Sequence, residues 1–309
     1  MNLFWLQCGS CSGDSMSLLN MDSPGLLEAL AGLGVEVLWH PSLSGLPLSE
    51  RRRLDDELVS GRRPLDILVV EGAILEGPGG TGMYDSYGGK PKKALVEALA
   101  RRARFVIAVG TCACFGGVAA AAVEATGLQF RKTERGGLLG RDFVSGAGLP
   151  VINLAGCPNH PEVVIGALSM LTAGIAPPLD AWQRPIEWFG IVVHQGCTRN
   201  EYHEFRVEEK DFGDKGCLFF HMGCQGPLTH GPCNKILWNR RTTKTRAGIP
   251  CHGCTSPDFP RPYPILRTRE IEGIPMDIPE GVKRAHYMVY KNMAAAATPE
   301  RLKARATEV

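Results

Sequence analysis

The sequence predicts a doubly wound α/β domain with a parallel sheet, followed by a smaller, loop-rich region organised around cysteine. Three observations carry this: four short apolar runs without polar alternation, helical stretches between them, and eleven cysteines of which ten fall into three spaced sets. Unbroken β-branched and aromatic runs are what strands buried on both faces of a parallel sheet look like.

The elements follow in order. Leu3 to Leu6 reads as a strand leading into Cys8, and Pro24 to Leu33, opened by Ser23, reads as a helix. Ile67 to Val70 leads into Glu71-Gly72, and Pro91 to Ala103 is the next helix. Phe105 to Val109 leads into Cys112, Val151 to Leu154 leads into Cys157, and Pro161 to Ala173 closes the pattern. Proline at the first helical position and glycine after two of the ends fit helix boundaries. Phe105 to Val123 carries no charged residue over 19 positions, long enough to raise a membrane span. Its centre, Gly110-Thr111-Cys112-Ala113-Cys114-Phe115-Gly116-Gly117, reads instead as a turn between a buried strand and a small-residue helix.

After Pro177-Pro178 the long periodic segments give way to loops dense in Cys, Gly, Pro and His. The expected organisation is a first domain over 1–178, a second over 179–267 and an extension over 268–309. A formal net charge of +2 shows no nucleic-acid footprint. The N-terminus lacks a basic region and a twin-arginine pair, so a cytoplasmic location is expected.

The three sets are Cys8-x2-Cys11 with Cys112 and Cys157, then His194-x2-Cys197 with Cys217 and Cys224, then Cys233 with Cys251-x2-Cys254. In a doubly wound sheet the ligand site forms outside the carboxyl ends of the strands, where every member of the first set falls. Four thiolates converging there would hold a cubane iron–sulfur cluster. Disulfides are the weaker use of so many thiols in a reducing compartment. Structural zinc is the stronger rival, although its cysteines usually come from two close knuckles, not from a span as wide as Cys8 to Cys157. His194 follows the apolar run Ile191-Val192-Val193 and stands two residues short of Cys197, which favours a ligand over a structural histidine. A region so poor in core would draw part of its folding energy from metal.

The segments Cys8-Gly-Ser-Cys11, Val70-Glu71-Gly72-Ala73-Ile74, Gly110-Thr111-Cys112, Gly156-Cys157-Pro158, His194-Gln-Gly-Cys197, Gly223-Cys224-Gln-Gly-Pro227 and Pro250-Cys251-His-Gly-Cys254 stand in a definite order. In these the chain resembles the small, electron-transferring subunit of nickel-iron hydrogenases, in particular the cytosolic uptake and hydrogen-sensing members. The resemblance implies a flavodoxin-like first domain with a proximal 4Fe-4S cluster on Cys8, Cys11, Cys112 and Cys157. It implies a distal 4Fe-4S cluster on His194, Cys197, Cys217 and Cys224, and a medial 3Fe-4S or 4Fe-4S cluster on Cys233, Cys251 and Cys254. A large partner subunit would carry the nickel-iron centre, so no catalytic residue is expected in this chain. Electrons from hydrogen would pass through the three clusters to an acceptor. In a sensor, the alternative reading, the chain would signal to a kinase, and a dimer of heterodimers is expected. A subunit of a quinone-reducing complex would match only the first domain.

Two positions depart from the family pattern. Gly13 followed by Asp14 stands where many members place a glutamate, and Lys244 stands where members with a three-iron medial cluster carry a proline. Cys114 reads as a small core residue before a supernumerary thiol. The Gly77 to Gly89 stretch misses both nucleotide fingerprints and reads as a loop against the partner. The basic run Arg240, Arg241, Lys244, Arg246 is either a guide for an acidic acceptor or a solvated face. The tail Pro279 to Val309 has helical character from Val282 to Ala295 and is expected to serve partner contacts or wrap its own domain. The face around Cys8, Glu71 and Cys157 is expected to present apolar surface to the partner.

Overall fold

The computed structural model describes residues 1–121, 123–262 and 264–303, and the chain divides into two compact units. One comprises Met1–Trp188 with Thr255–Pro260, the other Phe189–Cys254 with Arg261–Val309.

The first unit is a five-stranded, wholly parallel sheet. Its strands are β1 (Asn2–Gln7), β2 (Glu36–Trp39), β3 (Leu65–Glu71), β4 (Ala103–Val109) and β5 (Ile152–Leu154), in the order β5-β4-β3-β1-β2. This is the flavodoxin-like order, whose reversal point lies between β1 and β3. The connecting helices are α1 (Gly13–Leu19), α2 (Leu26–Gly32), α3 (Leu48–Ser60), α4 (Lys92–Ala100), α5 (Gly110–Phe115) and α6 (Pro161–Thr172). Ile67, Leu68, Val69 and Val70 of β3 and Val106 to Val109 of β4 are fully buried. With both faces covered, alternation has no reason to exist, and each buried Val, Leu or Ile side chain contributes roughly 1.5–3 kcal/mol.

Within the stretch Phe105 to Val123, long enough for a span, residues 105–116 are instead the end of β4, the short α5 and the turn at Gly116, whose φ is +83°. No helix among the described residues is long and apolar enough to cross a membrane.

Helix α3 and strand β2 are among the elements that were not expected. Helix α3 buries Arg51, Leu54, Asp55 and Leu58, a helical stripe in which half the inward positions are charged. The Arg51 guanidinium lies over the rings of Phe4, Trp39 and Tyr87 at 4.6, 4.1 and 5.3 Å and pairs with Asp55 at 2.8 Å. An arginine doing the packing of an aliphatic residue conceals the period. Strand β2 is a short edge strand whose exposed Glu36 interrupts the apolar signal.

The boundary at 178 also differs from the structure, which keeps 179–188 with the first unit. Asn153 binds the carbonyls of Trp182 and Gln183, and the Trp182 ring packs against Phe115 and Phe130. Trp182 thus completes a buried aromatic cluster that the proline pair does not interrupt.

The second unit has little regular structure: α7 (Asn200–Glu204), α8 (Arg284–Ala296), the short α9 (Glu300–Lys303), isolated turns and one short antiparallel pair. Its core is Val193, Cys217, Leu218, Phe219, Phe220, Met222, Cys224 and Cys251, with Tyr202, Cys233 and Tyr287 packed on it. The tail stays on this unit. No α8 side chain is fully buried, but Thr298 Oγ1 donates to the Phe205 carbonyl at 3.0 Å, Arg301 pairs with Glu201, and Leu302 is buried. The last positions of the tail, 304–309, lie outside the described residues.

A tight turn of the first unit lies at Gly72, directly after β3, at a φ of +91°. A Cβ there would stand 2.6 Å from Ser10 Cβ and 2.8 Å from the Gly9 carbonyl carbon. Gly72→Ala is therefore expected to destabilise the protein by about 1–3 kcal/mol or more, read as a lower urea midpoint at unchanged slope.

Candidate functional site

The first cysteine set gathers at the carboxyl edge of the sheet. Cys8 follows β1 and donates its backbone N–H to the Glu71 carbonyl at 2.8 Å, which ties the ends of the two strands flanking the reversal point. Cys11 precedes α1, Cys112 lies in α5 after β4, and Cys157 follows β5. Cys11 and Asp14 are among the charges acting on Cys112, and Gly13 sits against both Cys11 Sγ and Pro158. Cys8 instead feels Asp85 and Lys92, which pair at 2.8 Å beside it. Burial, with Asp85 adding to it, pushes the Cys8 thiol up to about 12.

Two groups near this edge have roles that only the structure shows. Glu71, fully buried, accepts from Trp5 Nε1 at 3.0 Å, Ser10 Oγ at 3.1 Å, Ser15 N at 3.2 Å and Ser15 Oγ at 2.5 Å. One carboxylate thereby fixes the Cys8–Cys11 loop and the start of α1 against β3. Lys132 reaches the carbonyls of Gly117 and Phe259, and its charge acts on Cys112. Cys114 is fully buried and bonds the Ala108 carbonyl at 3.4 Å, the geometry of a packed core residue. Exposed Met16 on α1 and Val118, whose backbone bonds Cys112, supply apolar surface beside the set.

The second set encloses a void. His194, Cys197, Cys217 and Cys224 line one small cavity together with Val193, Phe219 and Pro227. Burial raises both Cys217 and Cys224 to about 12, and neighbouring thiols add to it. Backbone N–H groups already point at the sulfurs: Arg199 N donates to Cys197 Sγ at 3.4 Å and Cys251 N to Cys224 Sγ at 3.3 Å. The Arg199 guanidinium holds this wall by pairing with buried Glu209 and donating to the Gly216 and Thr245 carbonyls. A second histidine, His203, stands behind Cys217, and burial with His194 beside it lowers its imidazole to about 4.

The third set also comes together. Cys251 and Cys254 act on Cys233, Cys254 acts on Cys251, and burial raises Cys233 and Cys251 far above the usual thiol range. Lys244 opposes that rise at both. Asn234 joins the second and third sets: its Nδ2 donates to the Val193 carbonyl at 2.9 Å while its Oδ1 accepts from Thr243 and Thr245 at 2.6 and 2.9 Å.

These donor sets suit iron–sulfur clusters. Among the described residues no three His, Cys, Asp or Glu side chains close on a single ion position. One tetrahedral zinc with Zn–S near 2.3 Å would want donors about 3.8 Å apart, whereas a cube with one ligand per iron spreads them around a larger void. Buried thiols this strongly desolvated stay protonated unless a cationic centre replaces the proton.

Comparison with known proteins agrees with the two units. The family of the NADH ubiquinone oxidoreductase 20 Kd subunit matches residues 11–171, and that of the C-terminal region of the NiFe/NiFeSe hydrogenase small subunit matches residues 189–266. The chain is 32% identical over 302 residues to the F420 non-reducing hydrogenase II small subunit of Methanosarcina mazei, covering 88% of this chain and 77% of that protein. It is 32% identical to the periplasmic NiFe hydrogenase small subunit 1 of Nitratidesulfovibrio vulgaris, over 84% of this chain and 79% of that one. Among solved structures, the actinobacterial-type NiFe-hydrogenase of Ralstonia eutropha H16 superposes with a TM-score of 0.78 at 26% identity, covering 100% of this chain and 94% of that one. The Ni-Fe-Se hydrogenase of Desulfomicrobium baculatum gives 0.73 at 26% identity, over 86% and 99%.

Asp14 supplies a test of the first set's surroundings. Its carboxyl is pushed up from 3.8 to about 7, chiefly by burial, with Glu71 adding and the 2.6 Å bond from Asn159 N opposing. The folded chain then keeps a proton that the unfolded chain releases, so the unfolding free energy falls as pH rises from about 4 to about 7. Asp14→Asn is expected to flatten that dependence, measured as urea midpoints at pH 5 and pH 7.5.

Proposed function

The chain belongs to the small-subunit family of nickel-iron hydrogenases, and on that premise we propose that it relays electrons released from hydrogen on a large partner subunit, through three iron–sulfur clusters, to an acceptor. The observation that carries the reading is the void lined by His194, Cys197, Cys217 and Cys224, a mixed imidazole and thiolate donor set inside an apolar core.

The proposed ligands are Cys8, Cys11, Cys112 and Cys157 for the proximal 4Fe-4S cluster, His194, Cys197, Cys217 and Cys224 for the distal one, and Cys233, Cys251 and Cys254 for a medial 3Fe-4S or 4Fe-4S cluster. Such clusters, when bound, take up and pass on single electrons at potentials set by their ligands, hydrogen bonds and exposure. The protein's part is to hold the thiolates and to manage their charge. Neutral His194 in place of a fourth thiolate removes one negative charge from the distal site. Lys132 beside Cys112, and Lys244 beside Cys233 and Cys251, offset charge at the other two. The buried walls around Cys217, Cys224 and Cys251 keep water away. A cytoplasmic location belongs to the same reading, and cell fractionation followed by immunodetection of the chain tests it.

Two measurements check the proposal. The purified heterodimer is expected to contain about 11 to 12 cluster irons per small chain with matching acid-labile sulfide, and EPR signals that change under hydrogen. Stoichiometric zinc with little sulfide would overturn it. His194→Cys is expected to slow hydrogen-dependent reduction of a soluble acceptor while leaving hydrogen–deuterium exchange, which needs no electron exit, near the unaltered rate. Unchanged acceptor reduction would remove His194 from the exit site.

A further inference from the structure

His203 lies six residues beyond Cys197 in α7 and belongs to none of the three sets. Its Nδ1 stands 3.4 Å from Cys217 Sγ. Its ring meets His194 edge-on, with centroids 4.5 Å apart and 65° between the planes. The other ring contacts are aromatic: Phe220 stacks on it at 5.4 Å and 17°, and Phe219 meets its edge at 5.4 Å and 63°. Two buried phenylalanines and a candidate ligand therefore fix the orientation of a ring whose Nδ1 faces a cysteine sulfur.

His203 does not line the void that His194, Cys197, Cys217 and Cys224 surround. It stands outside that ring of donors, so it is a neighbour of the site, not a competing ligand. A cysteine sulfur bound to iron is a thiolate and can only accept, so Nδ1 must carry the hydrogen.

We propose that His203 is a positioning and tuning residue of the distal site, donating an Nδ1–H···Sγ hydrogen bond to Cys217 that raises the site's reduction potential and clamps the His194 ring. This rests on the ligand set proposed above. Reduction adds negative charge to the cluster and its sulfurs, and a hydrogen bond to a sulfur stabilises the more negative form, which moves the potential upward. Imidazole ligation at His194 acts in the same direction. The two histidines thus make the distal site the more readily reduced one by two separate routes, fewer thiolates and a better-solvated thiolate. Packed edge to face, the His203 ring also restricts the rotation of His194, and ring orientation is what sets the direction of the ligand's lone pair.

The test is an EPR-monitored redox titration of the purified heterodimer. His203→Phe keeps an aromatic ring for Phe219 and Phe220 and removes the donor; His203→Asn places an amide N–H near the position of Nδ1. The phenylalanine variant is expected to shift one 4Fe-4S signal about tenfold towards the oxidised form at fixed potential, close to 59 mV for one electron, and to leave the other signals in place. The asparagine variant is expected to recover most of that shift. An unchanged midpoint in His203→Phe with cluster content intact overturns the proposal. Should that variant lose its cluster, His203→Gln is read in its place: its amide reaches the position of the other ring nitrogen, so the same downward shift is expected and an unchanged midpoint overturns the proposal. His194→Cys serves as the control, because it must move the same signal. If it moves none, the ligand assignment itself fails and the inference falls with it; if it moves the signal while His203→Phe does not, only the hydrogen bond is rejected.

Discussion

Packing several thiols side by side in an apolar core is the constraint on which the rest of this chain depends. Cys217, Cys224 and Cys251 are core residues by burial, sharing one cluster with Leu218, Phe219, Phe220 and Met222. As thiols they are compatible with that core, but as thiolates they are not: desolvation drives each one strongly towards its protonated form, and each makes its neighbours worse. A bound cationic centre reverses the balance, because it replaces several protons at once and links segments that little else joins. The scarcity of regular structure in the second unit then has a reason. With three helices, two of them five residues or fewer, and one short strand pair among the described residues, cross-links through cysteine would stand where a larger unit has a sheet.

The first unit meets the same constraint differently. Its sheet and helices form a core of their own, and the sheet edge supplies a place where the loops after β1, β4 and β5 converge. What needs arranging is the loop geometry, and that falls to polar groups at the reversal point. Glu71 accepts four hydrogen bonds from the Trp5, Ser10 and Ser15 segments, and Gly72 lets the chain turn tightly against Gly9. A buried carboxylate with several donors is costly to break, so the Cys8–Cys11 loop is held as firmly as the strands that carry it.

Much of this was legible in the sequence because it follows from patterns of two kinds. Continuous apolar runs mark doubly covered strands, and the short Cys-x2-Cys and His-x2-Cys spacings mark donors that must lie close together. The core strands β1, β3, β4 and β5 and the helix α6 fall within a few residues of where those patterns put them. What stayed hidden has one physical form, a polar or charged side chain used as packing or as a strut. Arg51 fills an aliphatic position in α3 through three aromatic rings, and so conceals a helix of 13 residues. Lys132, Arg199, Asn234 and His203 each act on residues distant in sequence, and no local spacing distinguishes them from any surface lysine, arginine, asparagine or histidine. Tertiary contacts, not composition, define their roles.

The two departures from the family pattern turn out to be local solutions to the charge problem. Lys244 occupies the place of an expected proline, and it is the cation that acts on both Cys233 and Cys251. At the proposed three-thiolate site a lysine would lower the net negative charge, which would favour the reduced state in the same sense as a hydrogen bond to sulfur. Asp14 stands one position beyond the expected glutamate. Its shorter side chain does not extend away from the sheet edge; it folds back to accept from Asn159 N beside Cys157 and Pro158, and it lies so close to Gly110 that a Cβ there would collide with it. The carboxyl therefore serves as a clasp between the loops after β1, β4 and β5, in a setting that favours its neutral form. In both cases the residue type suits the neighbouring thiols: a cation acting on Cys233 and Cys251, and beside the loops of Cys11 and Cys157 a buried carboxyl whose neutral form is favoured.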